Sequence, residues 1–429
     1  MPELNKILQG DCLIKLKELE DNSVDSIVTD PPYELGFMGK SWDNTGIAND
    51  KNMWAECLRV LKPGGHLLAF SGTRTYHRMA SAIEDAGFEV RDMIEWVYGS
   101  GFPKNLNIGK AVDKIQGNER EIIGSYKVPD IKGDAYGTMN DKQGGSYANI
   151  EVNKTKGTST WEGWGTALKP AHEPICMARK PLAEKTVAEN CLKYGTGGIN
   201  IDESRVETSE NITIHKGNLF AGNSGIDTEN NFKTSGQSLG RFPANLIHDG
   251  SEEVRECFPE AKGMATQNSS TDLNVYTGNA LYHSKTKFPP VRQGFNDSGN
   301  ASRFFKSIIY QAKASKSERN KGCEGLEEKS KVFNGQSDTP SIEMKDLEKR
   351  FTTLPKANNH PTVKPIALME YLIKMVTKQG GIVLDPFAGS GSTLVAAKEN
   401  GYQYIGIEMT PEYIPIIEAR LKSISNTPL

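Results

Sequence analysis

The sequence lacks several features that would place it in a specialised class of protein. No apolar run approaches the roughly 20 residues that a membrane-spanning helix needs, and the first residues contain no apolar core of a secretory signal peptide. The six cysteines are widely scattered and form no C-x-x-C pair, which argues against a zinc site and fits reduced thiols. These absences argue against a membrane protein or a disulfide-rich secreted protein, and we expect a cytoplasmic protein without a metal site.

The sequence also has no excess of positive charge. Its 51 Lys and Arg residues are balanced by 54 Asp and Glu residues, which gives a formal net charge of −3. A nucleic-acid-binding surface would therefore come from a local basic patch and not from the charge of the whole chain. The length of 429 residues predicts two or three domains, at roughly 150 residues per domain.

Short apolar strands and helical stripes alternate at both ends of the chain. This alternation over residues 1–99 and 358–429 predicts a mostly parallel sheet covered by helices on both faces. Residues 117–165 show little periodicity, so we expect a mobile insertion loop over residues 100–170. Residues 171–182 predict one more strand, and the polar segment 183–357 predicts an inserted module. The predicted elements include strands at Lys6–Gln9, Val24–Thr29, His66–Phe70, Phe88–Tyr98, His172–Arg179, Gly381–Leu384 and Tyr402–Ile407, and helices at Met53–Leu61, Ile366–Val376, Ser392–Asn400 and Pro411–Leu421.

A carboxylate and a tyrosine flank two prolines directly after the apolar segment Val24–Thr29, in the order Asp30, Pro31, Pro32, Tyr33. Ligands of open α/β sheets bind outside the carboxyl ends of the strands, so reactive groups are expected at this turn. Prolines fix φ and lack an N–H, which leaves carbonyl oxygens free to accept. Such a turn suits a planar base with an exocyclic amine, because its oxygens accept N–H groups while the ring stacks. Alternatively, the prolines simply end a strand and the tyrosine packs.

A glycine-rich turn lies between a predicted strand and helix near the other end of the chain, with the sequence D-P-F-A-G-S-G-S-T from Asp385 to Thr393. Its glycines would let a ligand approach the backbone, and the helix N-terminus offers free N–H groups. Neither the G-x-G-x-x-G fingerprint nor the P-loop lysine pattern is present. The next strand ends at Glu408, where an acid could accept ribose hydroxyls. Alternatively, this is a tight turn followed by a solvated acid.

The two motifs together resemble those of the β-class DNA amino-methyltransferases. The catalytic DPPY-type motif of that family matches Asp30–Tyr33, and its FxGxG-type S-adenosylmethionine motif matches Asp385–Gly391, in the same order. Asn359–Pro365 resembles the segment that precedes the cofactor loop, and Gly10–Cys12 resembles the N-terminal turn. More loosely, residues 163–174 and 241–247 resemble the phage and prophage branch of the family.

This resemblance implies a fold and a partner. The fold would be a permuted Rossmann-like methyltransferase sheet, mostly parallel with one antiparallel strand, and 183–357 would be its target-recognition region. The strand at Lys6–Gln9 would lie beside the strand that ends at Glu408. The partner would be double-stranded DNA, with no membrane, and a homodimer is left open.

The resemblance also implies an activity, a cofactor and a set of site residues. The activity would be methyl transfer from S-adenosylmethionine to the exocyclic N6 of an adenine flipped out of the duplex. The implied catalytic residues are Asp30, Pro31, Pro32 and Tyr33. The implied cofactor-binding residues are Asp11, Cys12, Thr362, Lys364, Asp385, Pro386, Phe387, Ala388, Gly389, Ser390, Gly391, Thr393 and Glu408. Three of these have an alternative explanation: Asp11 only caps a helix, and Thr362 and Lys364 only begin one.

The densest basic segment is Ala301–Lys321, in which aromatic residues alternate with cations. Attraction to phosphates suits a DNA-facing surface. A solvated basic face with its aromatics in the core explains the pattern equally well. The predicted DNA-binding residues are Arg303, Lys306, Lys313 and Lys316.

Other activities stay open on the sequence alone. In the family, Asp at the first position of the catalytic motif favours adenine and Ser favours cytosine, but both amines present the same donor geometry, so N4-cytosine is the main alternative. The absence of a Pro-Cys dipeptide speaks against methylation of cytosine carbon 5. Two E-x-K triplets, Glu327–Lys329 and Glu343–Lys345, leave a fused restriction nuclease as a weaker alternative. A nicotinamide oxidoreductase is disfavoured by the missing fingerprint, and RNA stays possible as the substrate.

Overall fold

The computed structural model describes residues 4–35, 41–99, 101, 105–129, 149–208, 240–262, 298–308, 316–327 and 357–424. Its strands are β1 (Lys6–Gln9), β2 (Val24–Thr29), β3 (Leu61–Phe70), β4 (Glu89–Val97), β5 (Glu121–Pro129), β6 (Asn149–Lys156), β7 (His172–Arg179), β8 (Leu246–His248), β9 (Glu260–Lys262), β10 (Ser298–Asn300), β11 (Lys306–Ser307), β12 (Ile382–Asp385) and β13 (Gln403–Glu408).

The α-helices are α1 (Cys12–Lys15), α2 (Lys51–Val60), α3 (Tyr76–Asp85), α4 (Ile108–Gln116), α5 (Val187–Tyr194), α6 (Glu252–Arg255), α7 (Lys316–Asn320), α8 (Ile366–Val376), α9 (Ser392–Glu399) and α10 (Ile414–Lys422). Short 3₁₀ helices lie at Leu16–Glu18, Ser41–Asn44, Ile47–Asn49, Ala301–Phe304 and Pro411–Tyr413. None of the helices within these ranges is long and apolar enough to cross a bilayer.

A nine-stranded sheet with the order β1-β13-β12-β2-β3-β7-β4-β8-β11 forms the centre of the fold. Its pairings are parallel except for the two that β7 makes with β3 and β4. The predicted permuted sheet with one antiparallel strand is therefore confirmed.

The sheet joins the two ends of the sequence. In β1, Gln9 pairs with Glu408 of β13, and Leu384 of β12 pairs with Ile27 of β2. Because these strands are parallel, the turns that follow them meet at one edge of the sheet. The structure therefore brings the two motifs of the sequence together.

Helices cover both faces of the sheet, and strand β2 shows how the core divides between them. Ile27 packs with Trp54 of α2 and other residues on one face, whereas its neighbour Val28 packs with Leu372 of α8 on the other. Successive strand residues point to opposite faces, so a strand between two helical layers is buried along its whole length.

The boundary between α2 and β3 differs from the prediction. Leu61 was expected to end the helical stripe, but the helix ends at Val60 and the strand already begins at Leu61. The strand continues through Pro63-Gly64-Gly65 because a register shift absorbs these residues: Val24 pairs with Leu61, and Ser26 already pairs with His66.

The segment 100–170, expected to be a loop, contains regular structure in its described part. It forms α4 and an antiparallel ribbon of β5 and β6. Arg120 joins these parts, because its guanidinium bridges Asp113 of α4 and Glu162. The ion pairs of Arg120 depend on the folded structure, but the helical spacing of Ile108, Val112 and Ile115 in α4 was a local signal that the prediction of a loop overlooked.

The segment 183–357, expected to be an inserted module, contributes directly to the central sheet. Its strands β8 and β11 extend the edge beyond β4. On the same segment, Asn190 of α5 donates from Nδ2 to the carbonyl of Pro63, 2.8 Å away, beside β3. Strands β8 and β11 therefore belong to the central sheet and α5 packs beside it, whereas β9 and β10 form a two-stranded sheet of their own. The prediction of a separate module is thus corrected for β8, β11 and α5.

Candidate active site

A cleft of about 1840 Å³ opens at the carboxyl edge of the sheet, where the turns after β1, β2, β12 and β13 meet. The residues that line it include Asp11, Asp30, Lys364, Gly389 and Glu408. These side chains come from both ends of the sequence. The cleft therefore combines the carboxylate–proline–tyrosine turn with the glycine-rich turn.

Asp30 has one oxygen fixed and one oxygen free. The ammonium of Lys364 donates to Oδ2 of Asp30 at 2.7 Å. The other oxygen, Oδ1, is buried and has no hydrogen-bond partner among the described residues. A buried acceptor without a partner is energetically costly, and such an atom beside a cleft is available for a donor on a ligand.

Lys364 and Tyr33 meet a third charged residue that the sequence did not reveal as part of the site, Glu173. The hydroxyl of Tyr33 donates to Oε2 of Glu173 at 2.8 Å, and the ammonium of Lys364 lies 3.2 Å from the same oxygen. Burial, and then the charges of Asp30 and Glu173, raise the pKa of Tyr33 well above its usual value, so the phenol stays protonated. The antiparallel direction of β7 brings Glu173, near its start, to this edge.

The pKa of Lys364 reflects two opposing effects. Burial lowers it, but attraction by Asp30 and Glu173 outweighs burial, and the net shift is upward. The lysine is therefore a permanent cation at working pH. The resemblance assigned Lys364 to the cofactor, whereas the structure places its ammonium on the predicted catalytic carboxylate.

The glycine-rich turn is held by Glu408 of β13. The N–H of Gly389 donates to Oε2 of Glu408 at 2.8 Å, and the N–H of Thr410 donates to Oε1 at 2.7 Å. Burial raises the pKa of Glu408, although these backbone donors oppose the shift. Gly389 has a φ of +55°, and a Cβ there would lie 2.9 Å from Nε2 of His360. The turn therefore requires glycine at this position.

The N6_N4_Mtase family model, described as DNA methylase, matches residues 24–419. The chain belongs to this family of DNA methylases. The predicted family is thereby confirmed.

Similar proteins include the Type II methyltransferase M.HindIII of Haemophilus influenzae, 22% identical over 94% of this chain and 90% of that protein. The DNA adenine methyltransferase YhdJ of Escherichia coli is 47% identical, but over 16% of this chain and 23% of its own length. The solved PvuII DNA methyltransferase (cytosine-N4-specific) has 13% identity and a TM-score of 0.41, covering 99% of this chain and 88% of that one. A Thermus thermophilus DNA modification methylase solved with S-adenosyl-L-methionine has 14% identity and a TM-score of 0.39, covering 98% and 95% of the two chains.

In the N-terminal turn of the methylase, Asp11 acts as a helix cap, while its contact with the cofactor stays a prediction. Asp11 caps α1, because its carboxylate accepts from the N–H of Leu13 at 2.8 Å, and it also lines the cleft beside Cys12. Burial, helped by the charge of Asp11, raises the pKa of Cys12 to about 12. Cys12 is therefore a thiol and not a thiolate nucleophile.

The predicted cofactor residues Thr362, Pro386, Phe387, Ala388, Ser390 and Thr393 also line the cleft of the methylase. Gly391 lies behind it: a Cβ there would meet Cγ2 of Ile417 at 2.7 Å, so this glycine permits α10 to pack closely. A buried arginine that sequence reasoning missed, Arg420 of α10, supports the same turn by donating to the carbonyl of Ser390 at 2.6 Å.

Of the predicted DNA-binding residues, Arg303 and Lys306 belong to the described part of the chain and do not line the cleft. Arg303 donates to the carbonyls of Gly299 and Asn300, and its guanidinium lies 4.4 Å from the ring centroid of Phe304. The ammonium of Lys306 lies 5.4 Å from the ring centroid of Tyr371. Lys313 and the side chain of Lys316 lie outside the described residues. Contact with DNA phosphates stays a prediction for this set.

Nuclease and metal chemistry find little support in the described part of the methylase. Glu327 is exposed, and Lys329 and the triplet Glu343–Lys345 lie outside the described residues. Within the ranges described above, no cluster of three or more His, Cys, Asp or Glu side chains could hold a metal ion.

Asp385 connects the glycine-rich turn to β2 and gives the methylase a pH-dependent stability. Its Oδ1 accepts from Oγ1 of Thr29 at 2.6 Å and from the N–H of Phe387 at 3.1 Å. Burial raises the pKa of Asp385 to about 6 from 3.8; the charge of Asp30 acts in the same direction and the hydrogen bonds oppose it. A carboxyl whose folded pKa is raised destabilises the fold as pH rises from about 4 to about 6.

We therefore expect Asp385→Asn to become more stable relative to the wild type as pH increases from 4.5 to 7. The amide still accepts from Thr29 but does not ionise, so the variant avoids a loss of up to about 3 kcal/mol in the free energy of unfolding. Thermal unfolding of both proteins at each pH measures the difference. A difference in melting temperature that stays constant over this range would contradict the shifted pKa.

Proposed function

We propose that the chain is a site-specific DNA methyltransferase that transfers a methyl group from S-adenosylmethionine to the exocyclic N6 of adenine. The observation that carries the proposal is the free Oδ1 of Asp30 beside the cleft shared with the glycine-rich turn. Membership of the DNA methylase family supports the reaction class. The aspartate of the Asp30–Tyr33 motif favours adenine over cytosine.

The residues around the glycine-rich turn fit the proposed cofactor in their chemistry. S-adenosylmethionine supplies an activated methyl group when bound. Asp11 follows β1 and Glu408 ends the neighbouring strand β13. Both line the cleft, and their carboxylates suit the amine and hydroxyl donors of an adenosine. Phe387 offers an aromatic surface, and Gly389 leaves the backbone accessible because it has no side chain.

The catalytic turn compensates for the weak nucleophilicity of the amine. The lone pair of an exocyclic amine is delocalised into the base ring. When Oδ1 of Asp30 and the carbonyl of Pro31 accept its two N–H groups, they favour a pyramidal nitrogen whose lone pair is free to react. Positioning and electrostatic stabilisation then supply the rate, without a covalent enzyme intermediate. The protonated Cys12 agrees with this mechanism.

The target base has to leave the duplex to reach this turn, so base flipping is part of the proposal. The ring of Tyr33 is the proposed stacking partner, and its hydroxyl is already fixed by Glu173. Residues 183–357, which also supply β8 and β11 to the central sheet, are the proposed target-recognition region. The proposed phosphate contacts are Arg303, Lys306, Lys313 and Lys316. Tyr33 would thus stack on the reacting base itself, whereas the basic residues would bind phosphates farther from it.

Analysis of the methylated product tests both the activity and the base. Unmethylated bacterial genomic DNA is incubated with the protein and S-adenosylmethionine that carries a deuterated methyl group, and is then digested to nucleosides for mass spectrometry. We expect the label in N6-methyldeoxyadenosine. Label in N4-methyldeoxycytidine would overturn the adenine assignment. The absence of label from all nucleosides would contradict the proposed DNA methyltransferase activity. Single-stranded DNA and RNA transcribed from the same template serve as substrate controls.

A further inference from the structure

Lys364 makes an unusual number of charged contacts for a residue assigned to cofactor binding. Its ammonium lies 2.7 Å from Oδ2 of Asp30, 3.1 Å from the hydroxyl of Tyr33 and 3.2 Å from Oε2 of Glu173. The side chain is 10% exposed, and the ammonium also lies 4.9 Å from the ring centroid of Phe70. These partners come from the turn after β2 and from β3 and β7. Lys364 therefore connects separate parts of the site.

We propose that Lys364 is a positioning residue for methyl transfer: it holds Oδ2 of Asp30 so that Oδ1 is the oxygen presented to the substrate amine. Glu173 holds the lysine in turn, through the oxygen that also accepts from Tyr33. The inference rests on the proposed function, because it assumes that Asp30 receives the amine. Lys364 and Glu173 would thus both help to orient the carboxylate that receives the substrate amine.

The geometry favours positioning over binding of the cofactor. All three charged or polar partners of the ammonium belong to the catalytic side of the cleft, and three acceptors match the three N–H donors of a lysine. With Oδ2 engaged, rotation of the Asp30 carboxylate would break a charge-assisted hydrogen bond. The carboxylate is therefore held in one orientation before substrate arrives.

Lys364 could instead serve only to neutralise the buried carboxylates. A double variant separates this charge balance from the positioning of Asp30. The cation neutralises one of two neighbouring carboxylates, and its removal alone leaves both Asp30 and Glu173 without a counter-charge. The double variant Lys364→Met/Glu173→Gln removes one charge of each sign and restores the balance. It does not restore the hydrogen bond to Asp30.

The experiment measures single-turnover methyl transfer at saturating DNA and S-adenosylmethionine, cofactor affinity by calorimetry, and thermal unfolding. For Lys364→Met we expect a rate constant roughly 10- to 100-fold lower, the effect of losing a charge-assisted hydrogen bond, with cofactor affinity within about twofold of wild type. The double variant should recover thermal stability but not the rate. Lys364→Arg should recover part of the rate, because a guanidinium can also bridge Asp30 and Glu173. Lys374→Met is the matched control, since Lys374 pairs with Glu370 on the surface of α8.

Three results would overturn the positioning role: an unchanged rate in Lys364→Met, a wild-type rate in the double variant, or weaker cofactor binding at an unchanged rate. Where the single variant does not fold, the charge-balanced double variant and Lys364→Arg decide the question. Asp30→Ala is measured in the same assay. If the wild-type protein transfers no methyl group, the proposed function is wrong. If Asp30→Ala also keeps the wild-type rate, the role of Asp30 is wrong and the role of Lys364 with it; if only the lysine variants keep theirs, the positioning role alone is wrong.

Discussion

Replacing Asp30 by alanine should lower the rate of methyl transfer by roughly 1000-fold while S-adenosylmethionine still binds. The variant removes the acceptor that orients the amine, and losses of this size are typical when a preorganised polar group or a general base is deleted. The fold should survive, because Lys364 keeps Glu173 and the hydroxyl of Tyr33 as partners. Single-turnover transfer of a labelled methyl group gives the rate, and calorimetry gives the cofactor affinity.

A surface aspartate provides the matched control for this variant. Asp21 is 69% exposed and pairs with Arg59 far from the cleft, so Asp21→Ala makes the same chemical change without touching the site. Its rate should equal that of the wild type, since exposed ion pairs contribute little. A rate for Asp30→Ala within tenfold of this control would remove Asp30 from the mechanism.

Replacing Gly389 by valine should weaken binding of S-adenosylmethionine by roughly 30- to 100-fold. A β-branched residue is strongly disfavoured at the φ of +55°, and its Cβ would lie 2.9 Å from the ring of His360, so the turn has to move. Backbone strain of this kind costs about 1–3 kcal/mol, and each 1.4 kcal/mol corresponds to a tenfold change in affinity. The N–H of Gly389 would then leave Glu408, which also faces the cleft. Calorimetric titration with the cofactor measures the loss.

A variant of Gly380 is the control that distinguishes backbone strain alone from displacement of the glycine-rich turn. It has a φ of +76° in the turn before β12, and a Cβ there would meet nothing within 4 Å. Gly380→Val therefore carries the same kind of backbone strain away from the cleft and should lose stability but keep its cofactor affinity. Equal affinity losses in the two variants would show that the glycine-rich turn has no special role in binding.

Those parts of the fold that depend on neighbouring residues could be predicted from the sequence. Helix α8 was predicted with its observed bounds, because a long apolar segment directly follows Pro365. Strand β7 was also predicted exactly as observed, from a short apolar run. The turn from Asp30 to Tyr33 could be placed at a strand end because two prolines stop a fully buried strand there.

The remaining parts depend on residues that are distant in sequence, and local patterns do not show them. Glu173 carries no local signal for its role, and the one available hint was its place within a segment that resembles the phage branch. Arg319 stood out as one cation in a basic segment, but its guanidinium donates to the carbonyls of Asn358 and His360 and supports the wall of the cleft. Arg420 looked like an ordinary helix residue, although it is 2% exposed. Buried cations that bind backbone carbonyls need coordinates to be recognised.

The strand order has a consequence for how the protein folds during synthesis on the ribosome. Strand β2 is made long before its neighbour β12, since their last residues Thr29 and Asp385 are 356 positions apart, and β13 follows later still. Until then the nascent chain exposes an apolar strand edge, which invites pairing with other chains. Contacts so distant in sequence also slow folding. Maturation of the enzyme should therefore depend on cellular factors that shield this edge until β12 has been synthesised.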